Sequence, residues 1–391
     1  MSQPVSFENL EIAFQYKSNS DLRRAFWLFK VINNNWLVRI GPPLTRAAMR
    51  MHLPIKGLIK STVFKHFCGG ETIAECQHSI DLLARYGVST ILDYSGEGKE
   101  SEADFERTYK EVLSTIEYAQ NHKEISFCVF KVSGMARHHI LHAVSEGKKL
   151  SASEQSEYEL CVQRVTNLCE RSASMGLRVF IDAEETWIQP AIDAMANTMM
   201  ERFNKERVIV YNTVQMYRVD RLQYLKDQVA IAQSKGYKSG YKLVRGAYLE
   251  KERERARDMG YASPIQATKE DSDRDYDAAL TYCLEHIEAV AICAGTHNEA
   301  STRLLIDKMH ALGIPSSHPH VFFSQLYGMS DHLSFNLAKV GFQVAKYLPY
   351  GPVETVMPYL FRRAEENTAI AGQMGREFRM VCSEMERRKK A

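Results

Sequence analysis

The sequence predicts an α/β protein built on a (βα)8 barrel of the TIM type, with a helical segment before it. After residue 85, eight short runs of β-branched and aromatic residues alternate with long helical patterns. Alternating strands and helices predict a parallel sheet, and eight such units predict closure into a barrel. An open doubly wound sheet is the alternative. It is disfavoured because no glycine-rich phosphate motif follows any of the predicted strands.

The elements follow one another in the order that a barrel requires. The predicted strands are 90–94, 126–132, 178–182, 208–211, 241–244, 290–294, 321–323 and 343–348. The clearest helical patterns between them are 104–121, 154–175, 219–235, 273–287 and 299–312. Gly176, Gly236 and Gly313 are expected to end three of these helices before the next strand begins. The predicted organisation is a helical segment over 1–85, a barrel over 86–370 and a basic helical tail over 371–391.

Composition excludes several classes of protein. The 391 residues are 45% hydrophobic and 25% charged, which is ordinary for a globular chain and unlike a disordered one. The 50 Lys and Arg residues nearly balance the 48 Asp and Glu residues, so no nucleic-acid partner is predicted. No apolar run approaches the roughly 18 residues of a membrane-spanning helix. The eight cysteines lack CxxC spacing, which predicts reduced thiols in the core and a reducing compartment.

Charge is unevenly distributed near the N-terminus. From Leu22 to His66 there are nine Lys or Arg residues and no Asp or Glu, and Trp27 and Trp36 lie in the same stretch. This pattern predicts peripheral contact with an anionic membrane, and the alternative is a helical cap with a solvated basic face. The first residues are typical of neither a secretory signal nor a transit peptide. The predicted location is cytoplasmic, at the inner membrane face, or mitochondrial if a targeting segment precedes this sequence. The run from Arg387 to Lys390 is expected to be a solvated tail.

Polar residues occur at or just after the end of every predicted strand. Catalytic groups of parallel barrels lie at the carboxyl ends of the strands. A single residue of this kind is more often part of a structural ion pair, but eight strands with the same feature predict a site. The residues are Asp93, Lys131, Asp182, Gln215, Lys242, Arg245, Thr296, Gln325 and Lys346.

The predicted eighth helix carries an unusual face. Tyr359, Arg362, Arg363 and Glu366 are spaced i, i+3, i+4 and i+7, so they share one side of the helix. Two neighbouring guanidinium groups suit a small carboxylate or a phosphate. The alternative is a solvated ion-pair surface, for which an apolar Tyr359 is not needed. Pro358 is expected to kink or restart the helix.

Nine motifs between Phe67 and Asn367 resemble those of the proline dehydrogenase family, and they occur in the order of that family. The motifs are FCGGET, LDYSGEG, FKVSG, IDAEE, NTVQMY, KLVRGAYLEKERERA, GTHNEAS, FSQLYGM and YLPYGPVETVMPYLFRRAEEN. The resemblance implies a distorted (βα)8 barrel that binds FAD and oxidises L-proline to Δ1-pyrroline-5-carboxylate. It also implies that the electrons pass to a membrane quinone.

The resemblance assigns roles to individual residues. Arg362, Arg363 and Lys131 would hold the carboxylate of proline, while Asp182 would line the substrate site and the flavin edge. The ring of the substrate would be walled by Tyr359, Tyr347 and Leu326, and Glu97 would pair with Arg362 as a gate. FAD would be contacted by Gln215, Lys242, Arg245, Gly246, Ala247, Tyr248, Lys269, Thr296, His297, Asn298, Gln325 and Glu366.

Departures from the family pattern leave some assignments open. The fifth strand reads Lys-Leu-Val-Arg, where bifunctional bacterial members carry Arg-Leu-Val-Lys, so the resemblance does not divide the flavin contacts between Lys242 and Arg245. The segment around Lys269 is a looser match. Tyr347 favours proline, because members that prefer hydroxyproline carry a small residue there.

The sequence leaves two alternatives to proline oxidation and one candidate metal site. A hydroxyproline dehydrogenase and an inactive barrel that binds membrane surfaces are the alternative functions. His138 and His142 share a helix face but have no third ligand, so no metal is predicted. No residue is identified as the proton acceptor.

Overall fold

A computed structural model describes residues 5–32, 45, 51, 55–96, 100–369 and 373–390. Eight strands, consecutive in chain order, form a closed barrel, and the neighbouring strands from the second to the seventh pair in parallel. The predicted fold class is therefore confirmed. The strands are β1 (Val88–Tyr94), β2 (Ile125–Phe130), β3 (Arg178–Ile181), β4 (Val210–Gln215), β5 (Ser239–Val244), β6 (Val290–Gly295), β7 (Val321–Leu326) and β8 (Val344–Tyr350).

Helices precede, connect and follow the strands. Among the described residues before β1, the helices are Leu10–Phe14, Asn19–Ile32, a continuous segment of Lys56–Ile59, the π-helical Lys60–Phe64 and Lys65–Phe67, and then Ile73–Ala84. Those after β1 are Glu102–Ala119, His138–Ser145, Ala152–Met175, Gln189–Phe203, Arg221–Ser234, Leu249–Met259, Lys269–Glu285, Glu299–Ala311, Asp331–Lys339, Val353–Ala369 and Gln373–Lys390.

Local signals in the sequence set several helix ends. Ser151 and Glu154 form a capping box at the start of Ala152–Met175, which satisfies two backbone N–H groups. Gly176, Gly236 and Gly313 adopt φ values of 68°, 69° and 67°, a left-handed conformation that glycine adopts without steric cost. The three predicted helix ends are confirmed.

All eight predicted strands differ from the structure at one or both ends, and two of these differences concern predicted polar residues. The fourth strand, predicted over 208–211, is Val210–Gln215, because its polar residues have buried partners. Asn212 donates to Asp193 Oδ1 at 2.9 Å, and Thr213 Oγ1 donates to Asp182 Oδ1 at 3.3 Å. Lys131, predicted inside the second strand, follows its last residue and precedes a short 3-10 turn, Val132–Gly134.

Contacts divide the chain into two compact units. The N–C unit comprises Met1–Thr90 and Gln325–Ala391, and the central unit comprises Ile91–Ser324. All eight cysteines are free thiols, and seven of them are buried, as predicted for core residues. Within the part of the chain that the structure describes, no helix is long and apolar enough to cross a membrane.

An aromatic layer lies in the interior of the central unit. The rings of Phe127 and Phe180 stack at 4.3 Å, and Phe127 also meets Phe322 edge-on at 4.9 Å. Arg178 lies over Phe127 and Phe322, with its guanidinium carbon 5.6 and 5.1 Å from the ring centroids. Because β2 and β7 are not neighbouring strands, contact between Phe127 and Phe322 places this layer inside the barrel.

The N–C unit contains a buried ionic cluster centred on Asp331, which we call the Asp331 cluster. Lys17 Nζ lies 2.6 Å from Asp331 Oδ2, and Lys346 Nζ lies 2.9 Å from Asp331 Oδ1. Tyr16 donates its hydroxyl to Asp331 Oδ2 at 2.7 Å. Burial alone would raise the pKa of Asp331, but the two ammonium groups outweigh it and hold the pKa well below its usual range.

Glu377 is buried beside the Asp331 cluster, and we expect it to make the stability of the protein depend on pH. Its Oε1 accepts from Ser330 N at 2.7 Å, and burial together with Asp331 raises the pKa of Glu377 from 4.5 to about 6. Since the folded state then binds the proton more tightly than the unfolded state, this residue makes stability fall as pH rises from 4.5 to 6. Glu377→Gln should remove about 2 kcal/mol of that fall.

The measurement is urea denaturation of both proteins between pH 4.5 and pH 7. The matched control is Glu386→Gln, an exposed glutamate on the same helix, Gln373–Lys390. It should leave the slope of stability against pH as in the wild type. An equal slope in Glu377→Gln and in the wild type would contradict the assignment.

The C-terminal basic run is solvated at Lys389 and Lys390 but not at the two arginines before them. Helix Gln373–Lys390 continues through it, and Arg388 donates to the carbonyl oxygens of Phe14 and Lys17, both at 2.8 Å. Arg387 and Arg388 both pair with Glu384, which is fully buried. The prediction is wrong for these two arginines because a buried carboxylate one turn earlier requires cationic partners.

Candidate active site

Four charged side chains come together near the ends of β1, β2, β3 and β5 in the central unit, and we call them the strand-end cluster. They are Asp93, Lys131, Asp182 and Lys242. Lys242 Nζ contacts Asp182 Oδ1, and Lys131 Nζ lies 3.3 Å from Asp182 Oδ2 and 3.8 Å from Asp93 Oδ2. The structure therefore brings three predicted site residues together and adds Asp93, which the sequence marked only as a polar residue in the first strand.

The strand-end cluster is buried and balanced in charge. Asp93, Asp182 and Lys242 are each less than a tenth exposed, while the Lys131 side chain is 11% exposed. Buried charges are stable only when they are paired, and here two ammonium groups face two carboxylates. Lys131 is the more accessible of the two cations.

The loops after β2 and β3 and the last residue of β4 are tied together beside this cluster. Glu184 accepts from Ser133 N at 3.0 Å through Oε1, and from the hydroxyl of Ser133 through Oε2. Gln215 Nε2 donates to the carbonyl oxygen of Glu184 at 2.7 Å. Of these, only Gln215 was predicted as a site residue. No local sequence pattern indicates the role of Glu184, because its partner Ser133 lies 51 residues away.

Arg245 belongs to a different network at the ends of β5 and β6. Its guanidinium donates to Thr296 Oγ1 at 2.8 Å, to Ser301 Oγ at 2.9 Å and to Asp273 Oδ1. Lys269 also pairs with Asp273. Burial opposes ionisation of Asp273, but Lys269 and Arg245 together lower its pKa. The structure thus assigns Lys242 and Arg245 to separate surroundings.

The Arg245 network has donors suited to a phosphate group. Asn298 caps helix Glu299–Ala311 by accepting from the N–H groups of Ala300 and Ser301, and helix N-termini favour anions. Gly246 has φ 145°, and a Cβ there would lie 2.4 Å from the ring of Tyr217, so only glycine fits. The loop after β5 also holds Ala247 and Tyr248, and His297 lies in the loop after β6. This donor set fits the pyrophosphate of a dinucleotide.

In the N–C unit, helix Val353–Ala369 presents the predicted aromatic and cationic face. The guanidinium of Arg363 lies 5.2 Å from the centroid of the Tyr359 ring, and both residues are buried, whereas Arg362 is half-buried. The helix continues through Pro358, so of the predicted kink or restart the restart is wrong. A proline removes only its own N–H bond, and a helix can continue past it. The side chain of Glu366 and the whole of Glu97 lie outside the described residues.

The remaining predicted residues of the N–C unit lie on β7 and β8. Tyr347 is buried in β8, and its carbonyl oxygen accepts from Tyr327 N at 2.9 Å. Leu326, at the end of β7, packs against the hydrophobic cluster that contains Tyr359. Gln325 Oε1 accepts from Ser334 Oγ at 2.7 Å. Lys346 lies in the Asp331 cluster. Its ion pair with Asp331 explains why a lysine occurs on this strand, and no catalytic role is needed.

The buried charges of the strand-end cluster lie near the carboxyl ends of the strands, where the active sites of α/β-barrel enzymes are found. The family model for proline dehydrogenase matches residues 76–376. The chain therefore belongs to the proline dehydrogenase family, whose general reaction is the oxidation of proline.

Relatives support this membership. The carbapenem antibiotics biosynthesis protein CarD of Pectobacterium carotovorum subsp. carotovorum is 34% identical over 85% of this chain and 86% of its own length. The mitochondrial proline dehydrogenase 1 of Arabidopsis thaliana is 32% identical over 85% of this chain and 76% of its own. The hydroxyproline dehydrogenase of Xenopus laevis is 29% identical over 96% of this chain and 88% of its own length.

Solved structures share the fold. Proline utilization A from Bdellovibrio bacteriovorus matches with a TM-score of 0.72 and 20% identity, over 94% of this chain but only 40% of its own. Proline utilization A from Bradyrhizobium japonicum matches with a TM-score of 0.64 and 22% identity, over 85% of this chain and 33% of its own. At these identities the likeness supports the barrel alone, and this chain spans less than half of either protein.

Proposed function

We propose that this chain is an FAD-dependent proline dehydrogenase that converts L-proline to Δ1-pyrroline-5-carboxylate and passes the electrons to a membrane quinone. The strand-end cluster carries the proposal, because it places Lys131, Asp182 and Lys242 together within the region that matches the family. Bound FAD would supply the acceptor for a hydride from the carbon next to the proline nitrogen.

The carboxylate of proline would be held by Arg362, Arg363 and Lys131. Guanidinium groups bind carboxylates through two parallel hydrogen bonds, which orients the substrate as well as attracting it. The aromatic and aliphatic side chains of Tyr359, Tyr347 and Leu326 would wall the pyrrolidine ring. In this proposal Glu97 pairs with Arg362 to close over the substrate. Holding the substrate in one orientation next to the hydride acceptor would increase the reaction rate, because the entropy of alignment is lost on binding and not in the chemical step.

The two basic residues of the fifth strand would have different duties toward FAD. Arg245 lies beside the capped start of helix Glu299–Ala311, so it would hold the pyrophosphate. Lys242 contacts Asp182, so it would lie at the reactive edge of the flavin. The other residues proposed to contact FAD are Gln215, Gly246, Ala247, Tyr248, Lys269, Thr296, His297, Asn298, Gln325 and Glu366.

A product assay tests the proposal. The protein is incubated with L-proline and a soluble quinone, and Δ1-pyrroline-5-carboxylate is trapped as its o-aminobenzaldehyde adduct. The proposal expects adduct formation that depends on both the quinone and L-proline. Protein that binds flavin but forms no adduct would contradict it, and protein that binds no flavin would favour an inactive barrel.

Similarity to a hydroxyproline dehydrogenase makes that activity the second candidate. Tyr347 is a large buried residue, and its phenol ring would crowd a 4-hydroxyl group on the substrate. The wild type should therefore have a higher kcat/KM for proline, and Tyr347→Ser should shift the ratio toward hydroxyproline. A wild-type ratio that already favours hydroxyproline would establish the second candidate.

Membrane contact is proposed to involve the first helices of the N–C unit. Trp27 on helix Asn19–Ile32 is 61% exposed, and Lys30 Nζ lies 5.0 Å from the centroid of its ring. Exposed tryptophan beside lysine is typical of surfaces that bind anionic bilayers. Trp36, the other tryptophan of the basic stretch, lies outside the described residues.

Trp27→Ala should weaken sedimentation of the full chain with phosphatidylglycerol-containing vesicles by about fivefold, since an interfacial aromatic anchor is lost. The matched control is Tyr261→Ala, which removes an exposed aromatic ring from the central unit. Equal sedimentation of the Trp27→Ala variant and the wild type would contradict the proposed surface.

A further inference from the structure

Helix Leu249–Met259 holds three consecutive residues of the loop that follows β3. Lys251 Nζ contacts Glu185 Oε1, and the guanidinium carbon of Arg255 lies 4.4 Å from the centroid of the Trp187 ring. Between them, Thr186 hydrogen-bonds to Glu252. No local sequence pattern predicts these contacts, because the hydrogen-bonded partners Thr186 and Glu252 are 66 residues apart. We call these contacts the loop clamp.

Glu252 makes the central contact of the loop clamp. It is 0% exposed, and its two carboxylate oxygens are both engaged by one residue. Oε1 accepts from Thr186 N at 2.7 Å, and Oε2 accepts from Thr186 Oγ1 at 2.6 Å. A buried carboxyl group is costly unless it is hydrogen-bonded, so this geometry is fixed by the need to satisfy both oxygens.

The flanking contacts are electrostatic. Burial opposes ionisation of Glu185, but His138 and Lys251 outweigh it and lower the pKa of Glu185 to about 2. Lys251 and Arg255 both lie over Trp187, with Lys251 Nζ 5.5 Å from the ring centroid. Cations over an indole ring attract it. The loop is thus held on both sides of Thr186.

The loop clamp connects two parts of the candidate site. The clamped loop begins directly after Asp182, and its Glu184 binds Ser133 of the loop after β2. The clamping helix begins directly after the loop that follows β5, which contains Arg245. Movement of the clamped loop would displace Asp182 relative to Lys242, with which it makes an ion pair.

We propose that Glu252 is a positioning residue that fixes the loop after β3 and thereby holds Asp182 in reach of Lys131 and Lys242. Glu252 itself touches none of these three residues in the contacts described above. The inference rests on the proposed proline oxidation, for which a displacement of reacting groups by about 1 Å costs up to about a hundredfold in rate.

The test compares Glu252→Gln, Thr186→Val and Thr186→Ser in the flavin-loaded full chain. Glu252→Gln keeps the shape but places an amide nitrogen opposite a donor of Thr186, while Thr186→Ser retains both donors. Three quantities are measured: the anaerobic rate of flavin bleaching at saturating L-proline, per bound flavin; the KM for L-proline, from steady-state rates at varied L-proline; and hydrogen–deuterium exchange of the Thr186 amide. The control is Thr198→Val, which removes a hydroxyl that hydrogen-bonds to Ala194 O within helix Gln189–Phe203.

Glu252→Gln should slow bleaching by about tenfold, with a KM for proline within about twofold of the wild type, and should accelerate exchange of the Thr186 amide by at least about tenfold. Thr186→Val should slow bleaching less, because its backbone N–H remains. Thr186→Ser and Thr198→Val should behave as the wild type does.

Each contrary result has a distinct meaning. Unchanged exchange in Glu252→Gln would overturn the clamp itself. Faster exchange with an unchanged bleaching rate per bound flavin would show that the clamp contributes stability only, and would overturn the positioning role. Flavin-loaded wild type that proline does not bleach would contradict the proposed function instead. Exchange of the Thr186 amide would still test the loop clamp in that case, since this measurement requires neither proline nor flavin.

Discussion

Asp331→Asn should lower the free energy of unfolding by about 3–5 kcal/mol, the cost of leaving buried charges without their partner. The side chains of Lys17 and Lys346 are 9% and 0% exposed, and both form ion pairs with Asp331. An asparagine of the same shape accepts one hydrogen bond but neutralises neither ammonium group. Lys346 is in β8 and Lys17 precedes helix Asn19–Ile32, so the loss affects the centre of the N–C unit.

Urea denaturation at neutral pH, followed by circular dichroism, measures this loss. Asp307→Asn, at an exposed position of helix Glu299–Ala311, is the matched control and should change stability by less than about 0.5 kcal/mol. Adding Lys346→Met to Asp331→Asn should restore part of the loss, because it removes one of the unpaired charges. A loss below about 1 kcal/mol in Asp331→Asn would contradict the account of this cluster.

Arg363→Met should raise the KM for L-proline by roughly ten- to a hundredfold while flavin remains bound. Methionine keeps the apolar contact with Tyr359 but removes the guanidinium that we propose for the substrate carboxylate. A charge-assisted contact with a buried cation is worth about 1.5–3 kcal/mol, which corresponds to roughly ten- to a hundredfold in binding.

Steady-state kinetics with varied L-proline, combined with the flavin content of each preparation, make the measurement. Arg303→Met is the matched control, because Arg303 pairs with Glu299 on the surface of a helix at 2.8 Å. It should leave KM unchanged. An Arg363→Met enzyme with the KM of the wild type would remove Arg363 from the substrate site.

The barrel could be predicted because each of its units carries local signals. Hydrophobic runs of strand length alternate with helical patterns, and Gly176, Gly236 and Gly313 end helices by a rule that acts within a few residues. The extent of β4 was not predictable in this way. The polar Asn212 and Thr213 end the apolar run of the predicted strand, and they continue the strand in the structure, where their side chains hydrogen-bond to Asp193 and Asp182, which are distant in the chain.

The site was predictable where motifs or helix periodicity marked it. Spacing alone placed Tyr359 and Arg363 on one face, and the structure stacks the guanidinium over the ring. Contacts between distant segments were not marked. Glu252 stands in a run of alternating charges that is typical of a solvated helix, yet it is fully buried against Thr186. Arg388 is likewise not the solvated tail residue that its basic surroundings in sequence indicate, because it donates to carbonyl oxygens near the other end of the chain.

The visible absorbance spectrum of the purified protein, before and after anaerobic addition of L-proline, tests the central claim most directly. The account predicts a yellow protein whose flavin band at about 450 nm is bleached by L-proline and restored by a quinone. Colourless protein, or a flavin band that L-proline leaves unchanged, would contradict it.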